Sequence, residues 1–306
     1  MASEATIYLP TIEENLFGGL EPIRMSGTDD SAFILDNGKT VDLPQAGTHG
    51  SITKGNDSYP VTIADRSDAD ITYSLTNIEI DPIRNTAFTQ NNASYNRFAS
   101  IINDATAGLG YWAARYILTQ WYPGIATANS VNTTGTATYT TQCPGGSEVV
   151  KSVDIQDIIN CALILDKQVI PRDDGRNLIL NASMYNSIFS NMSDNDYLNF
   201  ASRNLKTGLV DSIHGFKVIM MPDTLNITVG GVVSDPDISP TGTTTSKSVG
   251  LAFHKSAVSY AMGDVNVFLN DGDAPNYGDV LSGTVFAGGK YRRTGKEGIV
   301  SLVETT

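Results

Sequence analysis

Apolar residues along this chain change their spacing several times, and each change marks an element. Between residues 92 and 120, Tyr95, Phe98, Ile102, Ala105, Leu109, Trp112 and Tyr116 recur at spacings of three and four. That period lays one apolar stripe along a helix. Asn91, Asn92 or Ser94 supplies its cap, and Pro123-Gly124 stops it. At 1.5 Å per residue the helix is about 40 Å long, which is long for one compact domain. Gly108 and Gly110 sit inside it, each costing about 1 kcal/mol relative to alanine. They predict a bend, or a close approach by another segment.

Upstream the period falls to two. Phe33-Ile34-Leu35 runs into Asp36-Asn37-Gly38 and on to Lys39-Thr40-Val41-Asp42-Leu43, a hairpin signal. A polar, glycine-containing tip spans 45–59. Val61, Ile63 and the strictly alternating Ile71, Tyr73 and Leu75 then bring the chain back. Ile78-Glu79-Ile80-Asp81-Pro82 closes the region. A long hairpin of this kind is marginal alone in water and needs a neighbour. Residues 1–30 read as an arm, with one helical turn around 12–17 opened by Thr11 and Glu14 as a capping box.

Downstream, residues 127–142 are rich in Thr, Asn, Ala and Gly and form a linker or an inserted hairpin around Tyr139. Ser152 or Asp154 caps a helix carrying Ile155, Ile158, Ile159, Ala162 and Leu165. A turn at 171–175 precedes a short buried strand at 177–180. Asn181 or Ser183 caps a helix over 184–192, and another helix covers 197–206 with Gly208 behind it. Residues 216–221 form a strand that Pro222 ends. A low-complexity loop fills 230–247. Strands follow at 250–253 and 265–269, with a helix expected between them at 255–262. The stretch 279–303 holds two β runs around Gly288-Gly289, with Tyr291-Arg292-Arg293 between them.

The 306 residues are 41% hydrophobic, enough for a sizeable core and for two lobes. Asp and Glu number 33 against 20 Lys and Arg, a net charge of −13. So acidic a chain does not hold nucleic acid along a basic stripe. Charged residues make up only 17%, with small polar residues in their place, which suits broad buried contacts. No stretch is apolar for long enough to span a membrane as a helix, and the N-terminus lacks the basic start and apolar core of a signal peptide. Folding in a cytoplasm is expected, with Cys143 and Cys161 as reduced thiols.

Candidate chemistry is weak at every point. Residues 283–290 imitate a phosphate-binding loop, but a second glycine separates Gly288 from Lys290, and Tyr291 stands where a hydroxyl should meet magnesium. His49, His214 and His254 lack metal-ligand spacing. Asn270-Asp271-Gly272-Asp273 and Asp194-Asn195-Asp196 lack the closing glutamate of a calcium loop and read as turns. Asp173-Asp174 also falls in a turn. No serine elbow is present, and Cys161 reads as helix packing. No catalytic, cofactor-binding or metal residue is assigned, no cofactor is expected, and an enzyme is not the expected class.

The order of elements in the second half carries a resemblance. The helix over 155–167 leads to Ile170-Pro171, then to Arg176-Asn177-Leu178-Ile179-Leu180 and the helix that begins near Ser183. Gly208 opens a turn, Gly215-Phe216 starts a strand that ends at Pro222, and Phe253-His254 stands before Ser256-Ala257-Val258. This order resembles the major capsid proteins of tailed bacteriophages, with the HK97-like fold. The resemblance spans most of the chain and rests on the succession of elements rather than one motif. It implies an α+β fold with an N-terminal arm (1–30), an extended E-loop (31–82), a peripheral domain with the spine helix (83–150), an axial domain (151–270), and C-terminal strands (271–306) returning to the peripheral domain.

The resemblance further implies a non-enzymatic subunit that assembles through pentamers and hexamers into an icosahedral head around double-stranded DNA, without binding that DNA specifically. Expected partners are other copies of the chain, a separate scaffolding protein, a portal and decoration proteins, with no membrane. The expected location is the virion, assembled in the host bacterial cytoplasm. No cleavage site stands out near the arm. Lys39 and Lys54 lie in or near the E-loop without an identifiable partner asparagine, so no covalent cross-link is carried over. Gly108, Gly110 and the E-loop base are the expected hinges. An encapsulin shell, a surface adhesin and an unrecognised hydrolase are the competing readings.

Overall fold

The computed structural model describes residues 21–35, 39–47, 52–86 except 62, 64 and 67, 97–143 except 126, 145–192, 212–228, 231, 233 and 245–306 except 274 and 276. The expected arm helix at 12–17, the turn at 36–38, the helix at 197–206 and most of the loop at 230–247 lie outside the described residues.

The chain opens with α1 (Glu21–Ser26), β1 (Thr28–Asp29), β2 (Ile34–Leu35), β3 (Thr40–Gln45), β4 (Ala69–Ser74) and β5 (Thr76–Thr86). The long helix α2 (Arg97–Trp121) follows, then β6 (Ser130–Asn132), β7 (Thr138–Thr140), β8 (Val149–Lys151) and α3 (Ile155–Lys167). Next come β9 (Arg176–Asn181), α4 (Ala182–Ser190), β10 (Ser212–Ile213), β11 (Phe216–Met221) and β12 (Leu225–Ile227). The chain closes with β13 (Lys247–His254), β14 (Val258–Asp273), β15 (Gly278–Tyr291) and β16 (Ile299–Val303).

Two principal sheets share one core. The smaller runs β1-β14-β15-β5, and the larger runs β10-β11-β9-β13-β16-β6 with β12 added along β13. Helix α2 lies between them. Its Ile117 and Trp121 join Val258 and Val285 of the smaller sheet and Phe253 and Ile299 of the larger in one buried cluster. On the far face of the larger sheet, α3 and α4 bring Ile158, Leu165 and Met184 onto Leu178, Ala252 and Val300. Strand β9 is therefore covered on both faces, Ile179 to one cluster and Leu178 and Leu180 to the other. A continuously apolar run is what such a strand requires.

Sequence signals fix the ends of the helices. Asp154 caps α3 and forms a capping box with Asp157, and the Asn181 side chain accepts from Met184 N to cap α4. In α2 the buried face of the inner half comprises Leu109, Ala113, Ala114, Ile117, Leu118 and Trp121. Trp112 and Tyr116, placed on the stripe by spacing, are only half-buried. Two sheets enclose this half, so the buried arc is wider than one stripe. The outer half rests on a separate small cluster of Ile102, Val267, Leu269 and Leu281. Gly108 falls at the boundary between these two anchorages. A Cβ there would meet nothing within 4 Å, so no segment approaches at this glycine.

Trp121 ties the parts together. It is fully buried, its indole N–H donates to the Ser259 carbonyl at 2.7 Å, and its ring meets Phe253 edge-on with centroids 5.3 Å apart. Two glycines make room for it. A Cβ on Gly27 would come within 2.9 Å of the ring, and one on Gly289 within 3.0 Å of the indole nitrogen. Residues 21–29 are thus docked: Ile23 is fully buried, and β1 adds in parallel to β14.

The expected hairpin is present and larger than its first turn. Strands β2, β3 and β4 form a three-stranded antiparallel sheet, with Val41, Leu43, Ile71 and Tyr73 as its own small core. The alternation of Ile71, Tyr73 and Leu75 places all three inward. The Thr-rich stretch is an inserted hairpin, with β7 paired to β8.

Two expectations fail. Residues 255–262 are not a helix. A single 3-10 turn at Lys255–Ala257 leads into β14, where Ser259, Tyr260 and Ala261 are buried between β1 and β15. Ser, Ala and Met tolerate either state, and pairing on both sides decides it. Gly288-Gly289 does not divide two runs, because β15 passes straight through both. A Cβ on Gly288 would lie 2.7 Å from the Leu75 side chain, so close packing and not a turn requires this glycine. The break comes at 292–298. The final strand, β16, then pairs with β13 and β6 in the larger sheet.

Candidate assembly surfaces

Sequence-level candidates for small-molecule chemistry do not come together. The phosphate-loop lookalike at 283–290 lies inside β15, where its backbone amides serve the sheet. His214 sits at φ 47° in the turn between β10 and β11. His49 and Asp194-Asn195-Asp196 lie outside the described residues. Asn270 to Asp273 end β14 at its hairpin with β15. No three His, Cys, Asp or Glu side chains gather as a metal-binding group among the described residues. Cys143 and Cys161 are buried and form no disulfide, and burial pushes both thiols up, Cys143 to about 12, so neither is a ready nucleophile. No helix among the described residues is long and apolar enough to cross a membrane.

One arrangement imitates a catalytic triad. His254 Nε2 lies 2.8 Å from Asp173 Oδ1, and His254 Nδ1 lies 2.7 Å from Ser256 Oγ. The same Nδ1 also accepts the Ser256 backbone N–H at 3.2 Å, so the ring caps the 3-10 turn. Asp173 is held below its usual range, first by the Gly175 N–H and then by His254. These bonds fasten the 171–175 turn to the junction between β13 and β14. That is a structural latch, and it explains His254 as a local cap.

Buried polar groups stiffen the rest of the frame. Glu304 is fully buried and accepts from Tyr139 Oη at 2.7 Å, Thr141 Oγ1 at 2.5 Å and Ser248 N at 2.9 Å. Burial raises its carboxyl above the ordinary value despite those donors. Arg115 of α2 meets Asp223 at 3.1 Å and stacks over the Trp112 ring at 4.9 Å. Burial raises Asp223 as well, with Arg115 opposing it. Arg176 is buried and donates to Asp166 Oδ1 at 2.8 Å and to the carbonyls of Ile170 and Pro171. Breaking such pairs one-sidedly is costly, since a buried charge is left alone.

The exposed features are of another kind. Ile52, Tyr59, Val61 and Ile63 are all more than half exposed on the excursion between β3 and β4. Lys54 is exposed on the same excursion, and Lys39 sits at its base, its carbonyl accepting from Leu75 N. At that base, Phe33, Leu43, Pro44, Gln45, Ser256, Arg292 and Arg293 line an open cleft. Gln45 Oε1 accepts from Thr294 N and Oγ1, which pins the excursion to the turn between β15 and β16. Arg292 reaches buried Asp30 at 3.4 Å. In the sequence Arg292 and Arg293 stand between β runs and show no role. Their pairing with Phe33 and Pro44 depends on a fold that brings positions some 250 residues apart together.

Val169 is exposed at φ 60°, a region β-branched residues rarely adopt. It ends α3 in a Schellman turn, with Val169 N bonded to Asp166 O and Ile170 N to Leu165 O, where glycine is the usual choice.

No protein-family model matches the chain, and no curated protein matches its sequence. Solved structures do match its fold. The capsid of Ralstonia phage GP4 has a TM-score of 0.61 at 10% identity, over 91% of this chain and 86% of that one. The capsid of cyanophage P-SCSP1u gives 0.58 at 14% identity, over 90% and 85%. A chain of Mycobacterium phage Che8 gives 0.55 at 17% identity, over 87% and 84%. A docked segment at 21–29, an excursion on its own small sheet, a long helix between two sheets and a polar-latched larger sheet together make this the HK97-like fold of phage capsid proteins.

Proposed function

We propose that the chain is a shell subunit that assembles through pentamers and hexamers into an icosahedral head enclosing double-stranded DNA. The observation that carries this reading is a fold match to phage capsids over about nine-tenths of the chain. Physical features of the molecule support it. An excursion bearing exposed Ile52, Tyr59, Val61 and Ile63 is poorly suited to an isolated monomer and well suited to lying on a neighbour. Interfaces of such shells bury about 1,200–2,000 Å² or more each and must close by symmetry.

In this reading residues 1–30 are the arm, 31–82 the E-loop region and 83–150 the peripheral domain. Residues 151–270 are the axial domain and 271–306 the C-terminal strands returning to the peripheral domain, with β16 alone joining the larger sheet beside β13. The net charge of −13 favours a lumen that lets DNA slide rather than gripping it. A separate scaffold, a portal and decoration proteins are the expected partners, and the virion the expected location. Gly108, between the two anchorages of α2, is the expected flexing point of the spine.

The test is to express the chain alone and with a candidate scaffolding protein, and to image the products. Hollow icosahedral particles are expected. A monodisperse monomer that persists under all assembly conditions overturns the reading.

A further inference from the structure

The two ends of the β14–β15 ladder carry opposite character. At one end the hairpin tip holds Asp271, Asp273 and Asp279 and no cation between residues 268 and 279. Tyr277 stands on this tip, 82% exposed and at φ 52°, a left-handed conformation that few tyrosines hold. An aromatic ring held outward at a conformational cost is a feature that packing within its own chain does not explain.

At the other end β15 delivers Arg292 and Arg293 into the cleft beside Phe33, itself 55% exposed. Arg293 is exposed and has no carboxylate partner among the described residues. Paired arginines above an apolar floor are uncommon property on a chain of net charge −13. The 14 residues of β15 separate the two ends by about 45 Å along a continuous ladder. Tip and cleft of one chain therefore cannot meet each other.

We propose that the acidic, tyrosine-bearing hairpin tip of one copy seats in the Arg292–Arg293 cleft of a second copy. The carboxylates pair with the guanidinium groups, and the Tyr277 ring covers Arg293 and Phe33. The contact joins unlike patches, so wherever it is not closed reciprocally about a twofold axis it propagates head to tail into closed rings or extended lattices. This inference rests on the shell-subunit reading and names one of its contacts.

The experiment is a charge swap in the full chain. Asp271→Arg and Arg293→Asp are made singly and together, and assembly is read by sedimentation and electron microscopy beside the parent. Circular dichroism checks that each variant folds. Like charges across a contact cost several kcal/mol, so each single variant should lower the assembled fraction more than about tenfold at equal concentration. The double variant should restore it. Parent-like assembly by both single variants overturns the contact, as does a double variant no better than the singles. If the parent itself never assembles, the shell reading fails instead, and the two failures remain distinct.

Discussion

Replacing Trp121 by alanine removes the side chain on which arm, helix and both sheets converge. A buried tryptophan withdraws about 150–250 Å² from water. At about 25 cal/mol per Å², that contributes about 4–6 kcal/mol as an upper figure, because the unfolded chain already covers part of its surface. The lost indole bond to the Ser259 carbonyl adds about 1 kcal/mol, and partial collapse of the cavity offsets some of the loss. A cost of about 3–5 kcal/mol is expected, against a total stability of about 5–15 kcal/mol. Urea unfolding of the isolated subunit, followed by far-ultraviolet circular dichroism, measures it. Trp121→Phe keeps most of the apolar area but loses the N–H, and should cost about 1–2 kcal/mol. Gly289→Ala should also destabilise, because its Cβ would meet Trp121 at 3.0 Å and the Ser259 carbonyl at 2.9 Å. A loss below about 1.5 kcal/mol for the alanine variant, matched by phenylalanine, would remove Trp121 from its central role.

Three further outcomes follow from other sites. Glu304 has a raised folded-state value, so its contribution is fully present below its ordinary 4.5 and is lost as pH climbs through the raised value. Glu304→Gln keeps an oxygen to accept from Ser248 N and Thr141 Oγ1, while its amide donates to Tyr139 Oη with that bond reversed, so its stability relative to the parent should rise between pH 4.5 and neutrality; a constant difference across that window refutes the assignment. Val169→Gly relieves a left-handed β-branched residue and should raise the urea midpoint by the equivalent of about 1 kcal/mol, whereas a lowered midpoint contradicts the strain. Gly108→Ala enters open space in a helix interior and should stabilise the subunit by about 1 kcal/mol; if α2 flexes there, the same variant also changes particle yield or size, and unchanged particles argue against a hinge.

Elements whose signals are local were legible in the sequence. The caps at Asp154 and Asn181, the alternation of Ile71, Tyr73 and Leu75, and the helical period of α2 all reflect physics within a few residues. The misreadings share a different cause. Residues 255–262 have no strong preference of their own, and β14 exists there because β1 and β15 hold it from both sides. Gly288 and Gly289 look like a turn, yet Leu75 and Trp121 are what exclude a side chain at each. The cleft was illegible for a related reason. Phe33, Pro44 and Arg292 are unremarkable singly and become a surface only once the excursion folds back on the β15–β16 turn.

The place of β16 bears on how the molecule is made. Synthesis produces β6, β9 and β13 long before residues 299–303, yet β16 lies between β13 and β6 and is buried along its whole length. Until it leaves the ribosome the larger sheet has an open slot flanked by strands already present. Pairings across some 170 residues form slowly, since the chain must close a long loop first. During that wait the apolar strand β13 presents an open edge that other nascent chains could join. A nascent subunit is thus exposed to mispairing for as long as its translation lasts. Slower elongation over the final segment should therefore lower soluble yield, and a chaperone that shields strand edges should recover it.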